Sequence, residues 1–163
     1  MYALVAFLCM RFNPPSAIIT MSRYLRYLLS FMERREVDLK LNEDCVRAVL
    51  LDVENEYQFG SFLHLKDFEE SQSSKFSKEE IEYTIIRLEE AGFIIATIDW
   101  VNARPFYVSV GSLTWKGHEF LDNVRDSKVW SETKVVASKV GSVSLSMLAT
   151  IASSVITKSL GLN

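Results

Sequence analysis

A chain of 163 residues with 48% apolar and 12% aromatic residues holds enough hydrophobic material for one sizeable core, and 24% charged residues is ordinary for a globular protein. The formal net charge of −3 is uneven: residues 1–31 hold Arg11, Arg23 and Arg26 and no acid, which leaves 15 basic against 21 acidic residues, a net of −6, for the rest. An acidic body is a poor electrostatic match for a phosphate backbone, whose binding is charge-driven. Cys9 and Cys45 read as free thiols of a reducing, cytoplasmic setting, not as a disulfide framework.

Residues 1–10 are an uncharged apolar run, too short for a membrane helix and without the basic start of a secretory signal. Tyr24, Leu25, Leu28, Leu29 and Met32 then recur at helical spacing beside Arg23 and Arg26. Residues 1–35 are therefore read as an N-terminal extension. It is either an amphipathic helix or a stretch upstream of a later start, with Met32 directly before the charged Glu33-Arg34-Arg35-Glu36.

Asn42 is a good N-cap, and Glu43 and Asp44 suit the positive end of the helix that follows. Val46, Val49, Leu50 and Val53 form one apolar stripe, with Asp52, Glu54 and Glu56 on other faces. Residues 61–65 alternate weakly and predict a short strand pairing with a later hairpin, with His64 a half-buried structural histidine. Residues 66–76 are polar and Ser-rich, a loop with at most one helical turn.

Ser77 and Glu80 predict a reciprocal capping box. Ile81, Ile85 and Leu88 are the inward stripe of the helix it opens, and Gly92 suits the left-handed position that ends it. The charges of this helix are Lys78 and Arg87 against Glu79, Glu80, Glu82, Glu89 and Glu90, a net of −3. Residues 93–100 and 106–110 read as two strands, joined by a turn that contains Arg104 and Pro105. Thr114 caps a further helix with Trp115, Phe120, Leu121 and Val124 as its apolar positions. Gly117 in its first turn predicts a close backbone approach to the strands. Asp126-Ser127 is a break or N-cap, and Val129, Trp130, Thr133, Val136, Ala137 and Val140 then fit another helix. Residues 144–160 form a weakly polar last helix that packs on the body or on a second subunit in preference to a membrane.

The order of capped helix, hairpin and helix over residues 77–122 looks like the second half of a winged helix. The run Leu113-Thr114-Trp115-Lys116-Gly117-His118-Glu119-Phe120-Leu121-Asp122, with Arg125-Asp126, Trp130 and the closing Leu160-Gly161-Leu162, resembles a family of small bacterial and prophage-encoded proteins known only as a domain of unknown function. The resemblance covers about residues 36–162. It implies a winged-helix-like fold and a phage or prophage setting, and it brings no catalytic residues.

The chain is thus read as α+β: an N-terminal extension (residues 1–35), a winged-helix-like domain (36–126) and a helical C-terminal extension (127–163). With no C-x-x-C pair, two histidines and scattered glycines, no metal, cofactor or phosphate loop is expected. The expected role is a non-catalytic binding or regulatory module that acts through protein contacts and self-association of residues 144–160. The candidate binding surface is Lys78, Glu82, Arg87, Arg104 and His118. A DNA-binding regulator is the alternative, on fold analogy alone. A small enzyme using His118 is the third reading, weighed against a structural histidine that bonds a strand backbone above Trp115.

Overall fold

A computed structural model describes residues 40–141 and 143–162, and residues 39–163 form one compact unit. The expectations for residues 1–35, including Cys9, lie outside the described residues. The unit is α+β, with six α-helices among the described residues and a three-stranded antiparallel sheet.

Helix α1 (Glu43–Glu56) is the centre of the core. The Asn42 carboxamide oxygen accepts from the backbone N–H of Asp44 and Cys45, which satisfies two of the donors a helix start leaves unpaired. Val46, Val49, Leu50 and Val53 are fully buried, and Cys45, Ala48 and Leu51 widen the buried face. Asp52 is also buried, contrary to its expected place on a polar face.

Strand β1 (Leu63–His64) pairs with the later hairpin as expected, Leu63 opposite Val110 and His64 opposite Ser109. His64 is exposed rather than half-buried, its ring tilted 5.7 Å from that of Tyr107. The Ser-rich segment is more ordered than its composition suggests. It forms α2 (Leu65–Glu69) and a 3-10 turn (Gln72–Lys75). Phe68 is driven into the core, and the Asp67 carboxylate accepts from His64 N–H at 2.7 Å to start α2.

Helix α3 (Lys78–Glu90) begins at Ser77, whose hydroxyl accepts from Glu80 N–H. The capping box is only half formed, because the Glu80 carboxylate accepts from the Asn42 side chain at 2.7 Å and so ties α3 to α1. At the other end Gly92, at φ +72°, donates to Glu89 O, and Phe93 N–H donates to Leu88 O. This paired pattern closes a helix only where a residue tolerates the left-handed conformation.

Strands β2 (Ile94–Val101) and β3 (Arg104–Leu113) form the hairpin, and the sheet order is β1-β3-β2. Asn102 and Ala103, both at positive φ, make the two-residue turn. Helix α4 (Trp115–Val124) starts at Thr114, whose hydroxyl accepts from Gly117 N–H and donates to Gly92 O. Gly117 is pressed on the strand entry as expected: a Cβ there would lie 2.1 Å from Phe93 O. Trp115 departs from its expected apolar role, at 86% exposed.

Helix α5 (Ser127–Ala137) is capped by Asp126 and buries Trp130, Thr133 and Ala137, whereas Val136 and Val140 face outward. Helix α6 (Leu145–Ser159), capped by Ser144, buries Leu148 and Ala152. Trp130, Ala137, Leu148 and Ala152 join the same cluster as the apolar residues of α1 and α4. Among the described residues no helix is long and apolar enough to cross a membrane.

Candidate interaction surface

The five candidate residues fall in three places. Lys78, Glu82 and Arg87 share α3, Arg104 lies at the hairpin end opposite Val101, and His118 lies on α4. Lys78 Nζ is 3.6 Å from the Glu69 carboxylate, and Lys78 also attracts Glu82 one turn along. Partial burial pushes the Glu82 carboxyl above the usual range despite Lys78. Arg87 donates to Glu90 at 2.5 Å and rests its guanidinium 5.2 Å from the Tyr83 ring. Both cations of α3 are thus neutralised by carboxylates of the chain itself.

His118 does not reach a strand backbone. Its Nδ1 is 3.7 Å from the Glu54 carboxylate on α1, and Trp115 is not packed beneath it. Glu54 also receives a two-pronged contact from Arg125, which in turn reaches Asp122 at 2.9 Å. The Arg125 hydrogen bonds hold the Glu54 carboxyl below its ordinary range and raise Arg125 further above its own. Arg47 completes this side: its Nε donates to Val124 O at 2.7 Å and its terminal nitrogen to Arg125 O. A cation at the last carbonyls of α4 complements the negative helix end. His118 belongs to this α1–α4 clasp and not to the α3 surface.

Between α3 and β2 lies an open groove of about 290 Å³. Its walls are Ile86, Ala96, Ile98 and Trp100 with the charged Arg87, Glu89 and Glu90. Beyond it the hairpin end exposes Trp100 (53%) and Phe106 (78%), together with Val101 and Tyr107. The register shifts there, Asp99 facing Tyr107 but Trp100 facing Pro105, so Phe106 has no partner across the ladder. A second groove of about 310 Å³ separates α4 from α6, with Phe93, Phe120 and Ala149 as well as Lys116, Glu119 and Asn123 on its walls, and Ser153 donating to Asn123. Among the described residues no group of three or more His, Cys, Asp or Glu side chains is placed to hold a metal.

Trp100 and Phe106 were not among the residues singled out from the sequence. Alternation puts Trp100 on the face of Ala96 and Ile98, which reads as core. The missing signal is length. The eight-residue β2 spans roughly 27 Å, whereas the thirteen-residue α3 it packs on covers only about 20 Å. The end of the hairpin therefore outruns that helix.

The family model described as hypothetical protein (DUF2513) matches residues 40–144, and the chain belongs to that family. An uncharacterized protein of Haemophilus influenzae is 31% identical over 123 residues, which is 75% of this chain and 99% of the relative. A solved structure concerning the mechanism for regulation of DNA binding of Bordetella bronchiseptica BpsR by 6-hydroxynicotinic acid aligns with 91% of this chain and 99% of its own, at 16% identity and a TM-score of 0.39. A likeness of that size carries no argument about fold or function.

Proposed function

We propose that the chain is a non-catalytic, winged-helix-like binding module that acts through protein contacts. In this reading α3 stands at the recognition position and the β2–β3 hairpin is the wing. The observation that carries it is the chemistry of the surface these two elements share. A helix that reads a major groove needs basic or amide side chains on its open face. Here that face offers Glu79 and Glu89, while Lys78 is paired with Glu69 and Arg87 with Glu90. The hairpin end adds apolar Trp100 and Phe106, the side-chain types enriched in protein interfaces. No catalytic role is assigned to His118, which faces Glu54.

A gel shift with duplex DNA over a salt series tests this reading. The expected result is no salt-sensitive retardation. Binding that weakens steeply with salt, and is lost in Arg87→Glu or Arg104→Glu, would make the chain a DNA-binding regulator instead.

Self-association of the last helix is part of the proposal. Leu148 and Ala152 are used by the chain's own core, so Met147, Leu160 and Leu162 are the side chains left for a second copy. Light scattering that finds a strict monomer at high concentration removes this element. The phage or prophage setting rests on the resemblance carried by residues 113–122. Expression that does not respond to prophage induction counts against it.

A further inference from the structure

Helix α6 carries a polar stripe whose hydroxyls are already bonded. Ser146, Thr150, Ser153, Thr157 and Leu160 follow helical spacing and lie on one side of it. Thr150, Ser154, Thr157 and Ser159 donate to carbonyls four residues back, and Ser153 donates to Asn123 on α4. Burying a bonded hydroxyl costs far less than burying an unbonded one, so this face can meet a protein surface. Beside its first half lies the α4–α6 groove, with Phe93, Phe120 and Ala149 on its walls. Asn123 and Ser153 meet at one end of that groove. Helix α4 ends there, at Val124, whereas α6 runs on to Ser159, about 9 Å further. The projecting end carries Leu160 and Leu162, 66% and 64% exposed. Gly161, at φ +71°, donates to Lys158 O, and Leu162 N–H donates to Thr157 O, which fixes both leucines at the helix end.

Resting on the reading that the last helix self-associates, we propose that two copies pair antiparallel through α6, the Leu160 end of each seated in the α4–α6 groove of the other. A two-fold axis between Ser154 and Val155 sets Leu160 of one copy beside Ala149 of its partner, and Leu162 beside the exposed Met147. The groove and the projecting end are thus used once each, and such a contact closes at two copies. Charge agrees with this register. Glu119 on the groove wall and Lys158 before Leu160 form no ion pair among the described residues, and antiparallel pairing brings these opposite signs together twice. Area sets the strength. A fifteen-residue helix is about 22 Å long and about 10 Å wide, well short of the roughly 800 Å² per partner of a stable complex. The pair is therefore weak and forms only at high concentration.

Sedimentation equilibrium of the full chain, with amide NMR over the same dilution series, tests the pairing. The expected result is a monomer–dimer equilibrium with a dissociation constant between about 10 μM and about 1 mM. Amide shifts on dilution are expected to be largest in residues 116–123 and 146–162. Leu160→Glu sets a carboxylate against the apolar wall and Glu119, and leaves a monomer. Glu119→Lys and Lys158→Glu each raise the dissociation constant about fivefold, and the double variant Glu119→Lys/Lys158→Glu returns it to the wild-type value. All three side chains are exposed, so the variants keep their melting curves. Rescue by the double variant is a readout that damage to the fold would not produce.

A dimer that survives Leu160→Glu, single reversals without effect, a double variant that stays weak, or growth beyond two copies overturns the inference. If such a dimer still shifts residues 144–160 on dilution, self-association of the last helix stands and only this pairing fails. If the shifts centre on residues 100–106, the copies meet through the hairpin and both fail. A strict monomer at about 1 mM also removes both, and leaves the reading of α3 and the hairpin as a protein-contact surface in place.

Discussion

Ser73 is joined twice to Asp52: its backbone N–H and its hydroxyl donate to the same carboxylate oxygen, at 2.9 and 2.5 Å, and both residues are buried. Ser71 Oγ and Gln72 N–H add two further donors. One side chain of α1 thereby fixes the start of the 3-10 turn. Asp52→Ala leaves these donors without an acceptor, some of them out of reach of water. The expected cost is about 3 kcal/mol of unfolding free energy, read by urea denaturation. A loss under about 1 kcal/mol would mean that the segment is held by Phe68 alone.

Gly117 separates two opposing effects. Alanine is favoured over glycine inside a helix by about 1 kcal/mol. At this site its Cβ would meet Phe93 O at 2.1 Å, a backbone atom that also accepts from Thr114 N–H. Relieving that clash requires prising α4 from the end of α3. Gly117→Ala is expected to destabilise by about 3 kcal/mol, seen as a lower melting temperature. An unchanged or raised melting temperature would refute the close approach.

The Glu54–Arg125 contact predicts a pH dependence. Arg125 hydrogen bonds depress the Glu54 carboxyl in the folded chain relative to its ordinary 4.5. The folded state therefore holds fewer protons at this group than the unfolded state. The contact's stabilisation is complete above pH 4.5 and is lost as pH falls through the depressed folded value. The stability gap between wild type and Glu54→Gln should be flat from neutral pH down to about 5 and shrink below that. A gap that widens on acidification would contradict this sign.

Cys45 is fully buried, and its thiol is pushed up to about 11 by that burial, even though Thr84 donates a hydrogen bond to its sulfur. Thiolate is the reactive form, so this thiol is inert in the folded chain. In a Cys9→Ser background, modification by a disulfide reagent should wait for unfolding and accelerate sharply at the denaturation midpoint. Rapid labelling under native conditions would show that α1 opens locally.

Much of the fold was legible because its signals are local. Asn42, Ser77, Thr114 and Asp126 all cap helices where the sequence places caps, and Gly92 ends α3. Each needs only a side chain and the backbone within a few residues. The candidate residues do not share one surface. Lys78, Glu82, Arg87 and Arg104 lie on α3 and the hairpin, while His118 belongs elsewhere, because its partner Glu54 is 64 positions away in the chain.

The sequence by itself determined the order of the elements apart from α2 and the 3-10 turn, their approximate ends, the acidic balance of α3 and the tight seat of Gly117. These follow from periodicity, capping chemistry and the size of a side chain. Only the tertiary structure decided that Asp52 points inward, that Glu80 caps across to Asn42, and that Trp100 and Phe106 stand clear of the core. The reason is the same in each case. A polar side chain goes where distant donors await it. An apolar one is buried only if another element is long enough to cover it.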